Sequence, residues 1–233
     1  MIGFLNSASE ALMWIIGVIE LILGILIIRK NKKLIGILAA CVCFGLAFDA
    51  IIQGLGVLIG EGAFLKGISQ VRYILHGILI PLLIPIAFIG YGIKKKSAKA
   101  IVFTITGIVI LLGIYMGVTT KTEPVFFAGV LRYGQDTELT PTFSIVFNLV
   151  ISIGGVIPLI ILGIMDLVKH RTPFIMLSGL LMFIASAIPP AIGLNDYNFV
   201  ITMFGELLMA LFFYFEIRCG QPKKNAVNDA VPA

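Results

Sequence analysis

Charge is what this sequence has least of. Only 12% of its residues are Asp, Glu, Lys or Arg, about half the roughly 25% of an ordinary soluble domain. So few charges cannot cover a water-soluble surface, and a soluble globular fold is excluded. Histidine is nearly absent too. There are two in 233 residues, and only His76 lies within an apolar run. A zinc centre built on several histidines, or a bis-histidine haem, needs more. Cysteine is equally sparse. Cys41 and Cys43 stand about 200° apart around a helix and cannot easily share a metal. Cys219 falls at a span boundary, where acylation is feasible. We read all three as small apolar filler. The last apolar run, NFVITMFGELLMALFFYFEI, contains no lysine, which excludes a retinal-type Schiff base there. GxSxG, HExxH and Gly-rich phosphate-loop motifs are missing as well. The N-terminus, MIGFLNSASEALMW, has no basic stretch and carries Glu10, so we expect no cleaved signal peptide.

What is present is apolar. The chain is 59% hydrophobic, with a mean hydropathy of +1.09. A helix needs about 20 apolar residues to carry its own backbone hydrogen bonds across roughly 30 Å of hydrocarbon. Seven runs meet that length, at 10–29, 34–60, 67–93, 99–118, 142–168, 173–193 and 197–217. The expected fold is an all-α integral membrane protein, a seven-transmembrane helix bundle. Residues 1–220 form one transmembrane domain and residues 221–233 a short polar cytoplasmic tail. Span offsets allow a 3+1+3 arrangement, with span 4 as linker. The segment 119–141 reads as a partly ordered loop with an apolar tuck at PVFFAGVL.

Basic residues orient the chain. Arg29, Lys30, Lys32, Lys33, Lys94, Lys95, Lys96, Lys99, Lys169, Arg171, Arg218, Lys223 and Lys224 all follow odd-numbered spans, so 13 of the 17 share one side. The positive-inside rule then puts the N-terminus outside and the C-terminus in the cytoplasm, with the plasma membrane as the expected location. Because the basic residues are spread over four short loops, nucleic acid is not an expected partner.

Inside the spans stand five ionisable residues, Glu20, Asp49, Arg72, His76 and Glu206, joined by Gln53 and Asn148. Such groups are costly in lipid and normally face a bundle interior or a wet cavity. At 1.5 Å per residue, depths from the outer span ends are roughly 7 Å for Arg72, 9 Å for Asn148, 10 Å for Gln53, 13 Å for His76 and Glu206, 15 Å for Glu20 and 16 Å for Asp49. One slab holds them all, from the outer leaflet to the midplane, and no comparable layer is expected in the inner half. Ser69, Arg72 and His76 share a helical face within about 60°. Gly45, Asp49, Gln53, Gly56 and Gly60 share one within about 80°. Gly17, Glu20 and Gly24 form a face on span 1, as do Ser144, Asn148, Ser152 and Gly155 on span 5. Small residues on these faces let helices approach, so the faces should point inward. Span 4 has no charge in its apolar run and is the expected peripheral helix. Glu10, Asp166 and Glu216 lie near span ends, and His170 falls in a basic turn; all four read as solvated. Carbonyls freed by Pro81, Pro85, Pro158, Pro189 and Pro190 could bind a ligand or hinge a helix, with the 189–190 pair best placed.

Three carboxylates against Arg72 give a formal −2 with His76 neutral. The cluster must hold a proton, charge His76, or admit a cation or water. That is the chemistry of a small-solute or ion transporter, proton- or cation-coupled, with an outward-facing polar site. A receptor-like sensor acting through a partner could use the same pocket, as could an intramembrane lipid-modifying enzyme with His76 and a carboxylate as acid and base. The candidate binding and proton-coupling residues are Glu20, Asp49, Gln53, Arg72, His76, Asn148 and Glu206. We expect no catalytic set, metal site or cofactor. Expected partners are the lipid bilayer, a small polar solute, a proton or cation, and a further copy of the chain.

Overall fold

The computed structural model describes residues 2–194 and 197–219, with side chains from Ser9 onward. Asp196 and the tail, with Lys223 and Lys224, lie outside the described residues. Seven helices run α1 (Ile2–Lys30), α2 (Leu34–Ile59), α3 (Ala63–Gly90), α4 (Lys96–Thr119), α5 (Thr142–His170), α6 (Phe174–Ala191) and α7 (Asn198–Cys219). All seven are long and apolar enough to cross a membrane, consistent with a multi-pass membrane protein. α3 begins four residues before the hydropathy run at 67, because Ala63 to Lys66 supply its first turn at the polar boundary.

Short connections force an up-and-down path. α1 packs along α2 and α7, α2 on α3, α3 on α5, α5 on α6, and α6 on α7. The result is a closed ring of six helices. α4 stands outside it, mainly against α3 and only lightly against α5. Gly77 and Gly113 explain that close seat. A Cβ on Gly113 would meet the Gly77 carbonyl oxygen at 2.1 Å, and one on Gly77 would meet the Gly113 oxygen at 2.2 Å. One turn on, Gly117 lies over the Ile74 backbone. This is the small-residue spacing that lets membrane helices touch backbone to backbone. The opposite side of α4 presents Ile101, Ile105, Ile108, Leu111, Tyr115 and Val118 outward.

The connection after α4 is more regular than its sequence predicts. It forms an antiparallel hairpin of β1 (Thr122–Phe127) and β2 (Val130–Gln135). Phe127 pairs with Val130 across a two-residue turn, with Ala128 at φ 54° and Gly129 at φ 77°. Positive φ at both turn positions matches the right-handed twist of the strands. Val130 and Tyr133 are buried beneath the hairpin. β2 lies so close to α2 that a Cβ on Gly56 would fall 1.6 Å from the Leu131 carbonyl oxygen. The hairpin therefore covers the end of the bundle where α2 finishes and α3 begins.

The core is uneven along the bundle axis. Toward the end that carries the basic loops, the ring is filled by Leu23, Ile27, Val42, Cys43, Leu46, Leu83, Ile86, Leu159, Ile175 and Phe213. Toward the hairpin end a smaller apolar group, Met13, Ile16, Ala50, Val200 and Met203, packs between α1, α2 and α7. Between α2, α3, α5 and α7 the interior stays open.

Candidate functional site

A cavity of about 300 Å³ occupies that space, lined by Asp49, Arg72, His76, Asn148 and Glu206. Each comes from the face its spacing predicts. Asp49 and Gln53 are one turn apart on α2, and Arg72 and His76 one turn apart on α3. Gln53 lines the cavity too, so six of the seven candidate residues share it. Asn148 is its most open member.

The seventh, Glu20, does not line the cavity. It is fully buried, and both its carboxylate oxygens lack a hydrogen-bond partner among the described residues. The reason is the order of the ring. α1 touches α2 and α7, with Gly17 against Ile51 and Gly24 against Phe44. Its small-residue face points inward as expected, but α2 stands between that face and the cavity.

Arg72 and Asp49 form a buried ion pair through Nε and Oδ1. The other oxygen of Asp49 faces His76, with Nε2 to Oδ2 at 3.6 Å, and the same nitrogen is 3.7 Å from Glu206 Oε1. His76 Nδ1 lies 3.2 Å from the Arg72 carbonyl oxygen, so Nδ1 carries the ring proton. Glu206 is 3% exposed. Its Oε2, Gln53 Oε1 and Arg72 Nη1 have no partner among the described residues. Gln53 Nε2 lies 3.6 Å from the Met203 sulfur, and the Gln53 amide also hydrogen-bonds Asp49. Several strong polar groups are thus gathered, desolvated and left incompletely paired, which is costly unless something else completes them.

Arg132 is a lining residue that the sequence does not reveal. It reaches the cavity from β2, with its guanidinium 4.6 Å over the Phe199 ring. Burial is the main influence on it and pushes it below the ordinary arginine value. The only signal in the chain is an arginine set within an otherwise apolar strand, VLRYG. Tyr73 lines the same mouth, its hydroxyl 3.5 Å from the Tyr133 carbonyl oxygen, which accepts.

A second cavity, about 530 Å³ and mostly apolar, adjoins the first. Leu46, Leu83, Val156, Met182 and Phe183 line it, and it shares His76, Asn148, Ser152, Thr202 and Glu206 with the polar one.

The inner half is not free of buried polar residues, contrary to expectation. Asp166 and Glu216 are buried rather than solvated. Asp166 Oδ1 lies 2.6 Å from His170 Nδ1, and the Thr172 hydroxyl donates to its other oxygen. Glu216 Oε2 has no partner among the described residues. Asp166 and His170 sit at i and i+4, which was legible. What could not be read is that α7 folds Glu216 onto the same end. Pro189 and Pro190 also differ from expectation. They close α6, their own carbonyls accept from Leu194 and Gly193 at 2.8 and 3.3 Å, and the carbonyls they free are those of Ala185 and Ser186, four residues earlier. Neither lines the polar cavity.

No known protein-family model matches this chain, and no curated protein matches its sequence.

Proposed function

We propose that this protein is a small membrane carrier that moves a small polar solute or ion, coupled to a proton or another cation. The observation that carries the reading is a buried, incompletely paired Asp49–His76–Glu206 cluster in a cavity closed at one end by a packed apolar core. A carrier needs a site near the membrane midplane that exchanges between two faces. In this reading the hairpin end is the outside of a plasma membrane, by the positive-inside bias. Glu206 and Asp49 take the coupling ion, and His76 passes or senses the charge. Arg72 sets the local potential, and Gln53, Asn148 and Arg132 contact the solute at the mouth. Glu20 acts on Glu206 and Asp49 from behind α2, through the field alone.

Flux into proteoliposomes tests this. With a panel of small solutes and imposed proton or sodium gradients, at least one gradient should drive uptake, and Glu206→Gln should abolish it. No gradient-dependent flux of any solute in the panel would reject the carrier.

The apolar chamber beside the polar cavity favours a second reading, a receptor-like sensor for a ligand with an apolar body and a polar head. Ligand-dependent thermal stabilisation without flux would support the sensor over the carrier.

A further inference from the structure

We infer that Asp49, His76 and Glu206 form a binding site for a divalent first-row transition ion of the zinc or manganese class. The inference rests on the carrier reading for the role of the site, and it names the coupling cation or cargo.

The first ground is the direction of the lone pairs. A backbone carbonyl can only accept, so the 3.2 Å contact to the Arg72 oxygen fixes the proton of His76 on Nδ1. In the neutral ring Nε2 is then a bare acceptor. It points at two carboxylate oxygens, 3.6 and 3.7 Å away. Three acceptors facing one another repel unless a cation stands among them. A proton on Nε2 would make ion pairs to both carboxylates, each longer than the roughly 2.7–3.2 Å of an N–H···O bond. An ion suits the spacing better. Two ligands of one tetrahedral ion with bonds of about 2.0–2.1 Å lie about 3.4 Å apart. Suitable atoms of all three residues lie within 4.8 Å of one another.

The second ground is the surroundings. Metal-bound histidine commonly donates its other ring N–H to a backbone carbonyl, and ligating carboxylates are themselves held by hydrogen bonds. Here the Arg72 carbonyl holds His76, and the Arg72 guanidinium holds the far oxygen of Asp49. Glu206 is 3% exposed and keeps Oε2 unpartnered while lining the cavity. That oxygen is available for a second bond to the same ion. The cavity leaves an open coordination position for water or cargo. One imidazole with two carboxylates is a borderline donor set, suited to zinc, iron or manganese rather than to the all-oxygen cage of calcium.

Purified full-length protein, stripped with chelator, is dialysed against Zn²⁺, Mn²⁺ or Co²⁺, and bound metal is counted. One ion per chain is expected for at least one metal. It should be lost in Asp49→Asn, His76→Gln and Glu206→Gln, and retained in His170→Gln at the other end. Variants are checked for native helicity and elution. The Co²⁺ form of His76→Cys separates lost ligation from misfolding. It should still bind and gain a thiolate-to-cobalt charge-transfer band that wild type lacks. No bound ion of any of the three, or binding that survives His76→Gln, or a Co²⁺-loaded His76→Cys without that band, would overturn the inference. These readouts are independent of flux. Gradient-driven flux without metal binding removes the metal and leaves the carrier. Stoichiometric binding without flux removes the carrier and leaves the metal site.

Discussion

At the scale of single residues, the interior turns on which charged group faces which. Arg72 answers Asp49, and its pairing leaves one Asp49 oxygen free for His76. Taking one partner from a buried ion pair typically costs about 3–5 kcal/mol, because the other charge stays behind without compensation. Arg72→Ala should therefore lower unfolding stability by about that amount, and Arg72→Ala with Asp49→Asn should recover part of it. Denaturant or thermal unfolding of the purified variants measures both. A loss well under 1 kcal/mol, with no rescue, would mean that the pair does not form. The helix faces of these residues were legible from 100° per residue. The exclusion of Glu20 was not. Depth and face are properties of one helix, whereas lining a cavity also depends on which helix stands in front.

At the scale of elements, α4 and the hairpin decide how the bundle is finished. α4 is held by backbone contact at Gly77 and Gly113 rather than by side chains that could shift. Even the methyl of Gly113→Ala has no room, because the atoms it meets are backbone. Overpacking of this kind typically costs about 1–3 kcal/mol. We expect Gly113→Ala to lower the melting temperature, and Gly77→Ala with Gly113→Ala to cost less than the sum, since either one already separates the helices. Strict additivity in a melting series would show that the two glycines do not face each other. The peripheral place of α4 was legible from its lack of internal charge. In the sequence the hairpin shows only as an apolar tuck. Its strands are short, and their stability comes from seating Val130 and Tyr133 on the bundle, a surface that does not exist until the helices assemble.

At the scale of the molecule, alternation of basic and non-basic ends sets the orientation we propose. Arg29, Lys169 and Arg218 lie in the last turns of α1, α5 and α7, and Lys32 and Lys95 in the turns that lead into α2 and α4, all at one end. In a background lacking the native cysteines, Lys32→Cys and Lys95→Cys should react with an impermeant thiol reagent only after the cytoplasmic side is opened. A cysteine placed at Lys121, beside the hairpin, should react in intact cells. The reverse pattern would invert the topology, and with it the side from which the cavity is reached.

Composition and periodicity alone determined the seven apolar helices, their up-and-down order and the presence of a polar layer toward one end. Those features follow from hydrocarbon thickness, helical rise and the cost of an unpaired backbone, all of which act locally along the chain. Only the tertiary structure decided that α1 stands behind α2, so that Glu20 is buried apart from the cavity. The same holds for Arg132, which reaches the mouth from the hairpin, and for Glu216, which is buried at the end where Asp166 meets His170. Each depends on the rotation and packing order of separate helices, set by side chains far apart in sequence. The facing of His76 Nε2 toward two carboxylates is of that kind as well. A helical wheel can aim each of the three inward, but only the close approach of α2, α3 and α7 brings their acceptors together.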